Sequence, residues 1–73
     1  MVNDEHIIRK YVSIEIAEKI SNLFRTTISK EDRRYYSITE WSKSVHQVEY
    51  NGNFPNYYIE GTEENIVWFL LKI

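Results

Sequence analysis

The segment Ser13–Ile28, SIEIAEKISNLFRTTI, repeats its less polar side chains with the period of a helix. Ile16, Ile20, Leu23, Phe24 and Thr27 follow one another at intervals of four, three, one and three residues. With Ala17 and Ile28 they form one stripe of a helix of about 3.6 residues per turn. Glu15, Glu18, Lys19, Asn22, Arg25 and Thr26 occupy the opposite side. Ser13 can cap the first turn, Glu15 lies where the helix dipole favours an anion, and Arg25 lies near the other end. Glu15 and Lys19 add an i,i+4 pair worth about 0.2–0.5 kcal/mol. A helix of this length is marginal alone in water, so its stripe must pack on the rest of the chain.

The rest of the chain is short. Seventy-three residues suit one domain, spanning 1–73. A core of this size rarely supplies more than about 3–5 kcal/mol. No cysteine is present, which removes disulfides, thiol chemistry and most zinc-finger patterns. Stability must come from the hydrophobic residues, 42% of the chain with aromatics making up 15% of the chain, or from another chain. Ten Ile and 11 aromatics against 3 Leu and 1 Ala favour sheet outside the helix.

Outside the helix, His6–Val12 reads as an edge strand, with a helical turn capped by Asn3 or Asp4 as its alternative. Ser29–Arg34 reads as a solvated charged connector. Arg34–Ser42, RYYSITEWS, is expected to be a strand, although Ser37 with Glu40 fits a capping box and Trp41, Val45 and Val48 have helical spacing. Val45–Tyr50 reads as a strand leading to Asn51-Gly52, a type I′ hairpin signal. Pro55 complicates the return, so the alternative is a longer loop over Asn51–Asn56 with pairing resumed at Tyr57–Glu60 and stopped by Gly61. In TEENIVWFLLKI, Thr62, Glu63, Glu64 and Lys72 are helix signals while Ile66–Phe69 are strand formers; helix is favoured. The six-residue apolar run Ile66–Leu71 is expected to be largely buried.

The expected fold class is α+β: a small antiparallel sheet of about three or four strands on one amphipathic helix (13–28), with a C-terminal helix or strand (62–73). The element order is similar to a ferredoxin-like arrangement without its last strand, a likeness of fold that carries no chemistry. No repeat or low-complexity tract is present.

Net charge is −2, so there is no global basic field to attract nucleic acid or anionic lipid. Residues 1–36 carry seven Lys/Arg and six Asp/Glu, residues 37–73 two and five, which gives +1 and −3. The start MVNDEHII lacks the pattern of a signal peptide. No run is long enough to cross a membrane, so no membrane partner is expected and the expected setting is cytoplasmic. The Ile, Asn, Lys and Tyr load fits AT-rich coding, as in phages and mobile elements, an association with origin only.

Catalytic sets are hard to find. There is no Gly-x-Ser-x-Gly, no Gly-rich phosphate loop, and no spacing that ties a serine to His6 or His46. Neither histidine belongs to a metal-ligand spacing, so no metal and no cofactor is expected. His46 is expected to pack on the sheet. Glu15 with Glu18, and Glu63 with Glu64, read as solvated or first-turn residues rather than an acid–base pair. No enzyme is expected.

Two binding readings remain. Tyr50–Tyr58, YNGNFPNYY, combines tyrosine with Asn and Gly, the composition of protein-binding loops. Its ordinary alternative is a hairpin whose aromatics cover the core. As an interface it would use Tyr50, Asn53, Phe54, Tyr57 and Tyr58, with Glu49 and Glu60 at the rim facing a basic patch. The partner would be another protein, and the action that of an inhibitor, an immunity or antitoxin-like factor, or a phage accessory protein. The same surface could close a homodimer. The second reading is nucleic-acid binding by Arg33, Arg34, Tyr35 and Tyr36, where basic residues adjoin stacking rings. Glu31 and Asp32 within that cluster cancel much of its charge.

Overall fold

Residues 6–73 are described by a computed structural model. The early cap at Asn3 or Asp4 lies outside the described residues. Strand β1 covers Ile8–Tyr11 and leads directly into helix α1, Ile14–Thr27. Ser13 caps α1 by accepting from the Ile16 amide at 3.2 Å, as its position in the sequence suggests. Ala17 and Ile20 on the stripe are buried, and Ile16, Leu23, Phe24 and Ile28 pack around them. The connector that follows is exposed and contains a single 3-10 turn, Asp32–Arg34.

The expected strand over Arg34–Ser42 is a helix. Helix α2 runs Ile38–His46 and starts at the capping box: Ser37 Oγ accepts from Glu40 N, and the Glu40 carboxylate accepts from Ser37 N. Two amides that a helix start would otherwise orphan are satisfied by one residue pair, and this outweighs the β preference of Tyr35, Tyr36 and Ile38. Trp41 then faces the core, with its ring 5.3 Å from Phe24 and 6.0 Å from Phe69. Gln47 ends α2 in the left-handed conformation, φ 55°. The strand expected over Val45–Tyr50 is therefore shorter and later: β2 is Glu49–Asn51.

Neither Asn51 nor Gly52 has a positive φ, so there is no type I′ turn. The longer loop is observed instead, with a cis Phe54–Pro55 bond, and pairing resumes in β3, Tyr58–Gly61. Gly61 does not stop the pairing as expected but is its last paired residue, opposite Ile8. Its lack of a side chain suits the close approach of Val48, whose Cγ1 would lie 3.2 Å from a Cβ there. Helix α3, Glu63–Leu71, follows with Thr62 as its cap.

The sheet order is β1-β3-β2, with β3 antiparallel to both neighbours, a split βαβ plan. The fold is α+β, three helices with a three-stranded antiparallel sheet. Burial alternates along β2 and β3: Tyr50, Ile59 and Gly61 are buried, while Glu49, Asn51, Tyr58 and Glu60 are only partly covered. The helices thus lie on one face, and the core joins Ala17, Ile20, Trp41, Val48, Tyr50, Ile59, Ile66 and Phe69. Strand β1 is exposed throughout, beyond the reach of the helix layer.

Burial of the Ile66–Leu71 run is only partial. Ile66 and Phe69 are buried, but Trp68 is 59% exposed, Leu71 70% exposed, and Val67 also faces outward. A helix turns about 100° per residue, so six consecutive apolar residues cannot all face one core.

Candidate protein-interaction surface

The β2–β3 loop, residues 52–57, projects from the end of the sheet where Tyr11, Tyr58 and Asn51 pair. Its shape is held by the Asn56 amide donating to the Asn53 carbonyl at 3.1 Å. The Asn51 amide group also reaches the Asn56 carbonyl, at 3.5 Å. Phe54 is 78% exposed at the tip, where its ring meets Tyr57 edge-on at 6.4 Å between centroids. Asn53 is exposed beside it. An exposed phenylalanine on a loop fixed by its own amides is a preformed apolar contact.

Beside the loop lies a groove of about 280 Å³, walled by α1 from Ile14 to Arg25, by Ile38 of α2 and by Gly52 and Tyr57. Ile14 and Tyr57 form apolar walls, Glu18, Ser21 and Arg25 supply polar groups from one side of α1, and Tyr50 is its floor. Tyr50 is 2% exposed, so it belongs to the core and is not the projecting anchor expected of it. Burial, and then the neighbouring Tyr57, raise its pKa above the ordinary tyrosine value and keep the phenol neutral. Gly52 leaves room for that ring, since a Cβ would lie 3.0 Å from Tyr50 Cε2.

Tyr58 lies on the outer sheet face with Tyr11, their rings edge-on at 5.7 Å, and the Arg9 guanidinium sits 4.0 Å from the Tyr58 ring centre. Glu60 is held by Arg9 at 2.8 Å and Glu49 faces Lys43 at 3.9 Å. Both carboxylates lie two pairs further along the sheet than the Asn51–Tyr58 pair at the loop, each facing a cation of its own chain. The expected set thus divides: Asn53, Phe54, Tyr57 and Tyr58 gather at one end, Tyr50 supports them, and Glu49 and Glu60 stand apart. Ile14 and Tyr11, both exposed, belong to this end and were missed by sequence reasoning. The signal was there, since the stripe of α1 places Ile14 off its buried side.

The basic–aromatic cluster lies on the 3-10 turn and just after it, not on a strand. Tyr35 is 79% exposed and Tyr36 is also exposed, so neither is a core residue. Arg34 is exposed, whereas Arg33 donates from Nη1 to the Arg25 carbonyl at 3.2 Å and so caps α1.

His46 occupies the last turn of α2 rather than a strand. Its ring packs between Trp41 at 4.9 Å and Phe69 at 4.8 Å, with Lys72 Nζ 3.4 Å from Nδ1. Burial and the nearby Lys72 charge both lower its pKa. Among the described residues, no group of three or more His, Asp or Glu side chains is placed to hold a metal, and no helix is long and apolar enough to cross a membrane. Compared with protein-family models, curated proteins and solved structures, the chain matches none.

Proposed function

We propose that this protein is a non-catalytic binding protein that occupies the surface of a partner protein, in the manner of an inhibitor, an immunity or antitoxin-like factor, or a phage accessory protein. The observation that carries this reading is Phe54, displayed on a self-braced loop beside the groove of Ile14, Tyr50 and Tyr57. An apolar anchor next to a concave site with a few polar groups is the anatomy of a binding hot spot. Replacing Phe54 and Ile14 together by alanine is expected to weaken partner binding by more than about 2 kcal/mol. Both side chains are exposed, so the circular dichroism spectrum should not change. Unaltered affinity would place the contact elsewhere.

The exposure of Tyr35 and Tyr36 supports a second reading, nucleic-acid binding at the α1–α2 connector. Binding to a single-stranded oligonucleotide would then weaken steeply with salt, and Arg34→Ala would flatten the slope. Absence of binding at low salt rejects it.

A further inference from the structure

Each edge of a sheet presents a row of N–H and C=O groups that call for partners. At the β2 edge these partners come from α2. The Tyr50 amide donates to Ser42 Oγ at 3.0 Å, and the Tyr50 carbonyl accepts from Thr39 Oγ1 at 2.8 Å. The Val48 amide donates to the Ser42 carbonyl at 3.2 Å. Helix α2 therefore closes this edge.

Among the described residues, the β1 edge is open. The Val12 amide donates to the Tyr57 carbonyl at 3.0 Å, which sets the phase of the ladder. With the register Ile8–Gly61 and Lys10–Ile59, the alternate residues Ile8, Lys10 and Val12 bond toward β3. The amides and carbonyls of Arg9 and Tyr11 then point away from the sheet. Among the described residues no hydrogen bond reaches them. Side chains do not shield them either, since all four β1 residues are exposed.

We propose that the β1 edge docks an extended, acidic segment of a partner protein, which joins the sheet as an added strand. This rests on the binding reading above but uses a different surface. Charge selects the occupant. Arg9 is already paired with Glu60 at 2.8 Å, so the charge an incoming strand meets on β1 is that of Lys10, which is exposed and has no ion-pair partner among the described residues. A second copy of this chain, added antiparallel through the outward groups of Arg9 and Tyr11, has two registers that cover most of the strand. One sets Arg9 against Arg9 and the other Lys10 against Lys10, and like charges directly opposite oppose pairing. An acidic side chain set opposite Lys10 meets it with opposite charge.

The test uses the full chain and a random eight-residue peptide library displayed on yeast, with the enriched peptides then synthesised. Enrichment in Asp and Glu is expected. Bound peptide should slow hydrogen exchange of the Arg9 and Tyr11 amides at least tenfold. Methylating the Tyr11 backbone nitrogen in a chemically synthesised chain removes an outward donor without touching the β1–β3 ladder, and should weaken binding at least tenfold. Lys10→Glu, a second variant that keeps the backbone intact, should weaken it at least fivefold. No enrichment, enrichment without acidic bias, or binding that survives both variants overturns the proposal. So does protection of the Arg9 and Tyr11 amides without peptide, whether by a second copy or by residues 1–5. Partner binding lost in the Phe54/Ile14 variant but kept on Tyr11 methylation would retain the binding reading and reject the edge.

Discussion

Ser42 does more for this fold than its size suggests. It is fully buried, donates to the Thr39 carbonyl at 2.8 Å and accepts from the Tyr50 amide at 3.0 Å. Ser42→Ala would keep the packing but leave the Tyr50 amide buried without an acceptor, at a cost of about 1–3 kcal/mol. Urea unfolding should show a lower midpoint with an unchanged slope. The indole N–H of Trp41 is a buried donor with no hydrogen-bond partner among the described residues, and contacts with the rings of Phe24, His46 and Phe69 offset that cost. His46 makes the same cluster sensitive to acid. Its folded pKa is below the ordinary 6.5, so the unfolded chain takes up the proton first as pH falls. Its contribution is intact above about pH 6.5 and is lost as pH drops through the lowered folded value. The melting temperature should therefore fall between about pH 7 and 5.5, and His46→Gln should flatten that dependence.

At the scale of elements, two physical rules compete within single segments. In α2 the capping box and the inward-facing pair Ile38 and Trp41 override the β preference of the segment, and Tyr35 and Tyr36, which precede the helix, stay outside. In α3 the end signals select helix, but helical geometry then forces Val67, Trp68 and Leu71 onto the surface. Because these side chains face outward, Trp68→Ser with Leu71→Ser should change stability by no more than about 0.5 kcal/mol per site. The same pair should reduce binding of a hydrophobic dye, which an exposed apolar stripe of this kind supports. A loss of several kcal/mol would mean that the stripe is packed against the body.

Across the whole molecule, the α+β class, the first helix with its cap, the return strand and the final helix were legible because each rests on local signals: a 3.6-residue stripe, a serine three residues before an unpaired amide, a tyrosine–isoleucine run after Pro55, and a threonine and two glutamates at a helix start. The site was less legible. Composition marked Tyr50–Tyr58, and the structure does gather Phe54, Tyr57 and Tyr58 at one end, but alternation in β2 turns Tyr50 inward. Glu49 and Glu60 find cations in α2 and β1. Such pairings span up to 51 residues of sequence and have no local signature. The central claim is that Phe54 and its groove bind another protein. The most direct test is a pull-down from nuclease-treated native lysate with the tagged protein and its Phe54→Ala/Ile14→Ala variant, read by mass spectrometry. The account predicts one dominant stoichiometric protein with the native chain and its loss with the variant. Equal recovery by both chains, or recovery of the bait alone, would contradict it.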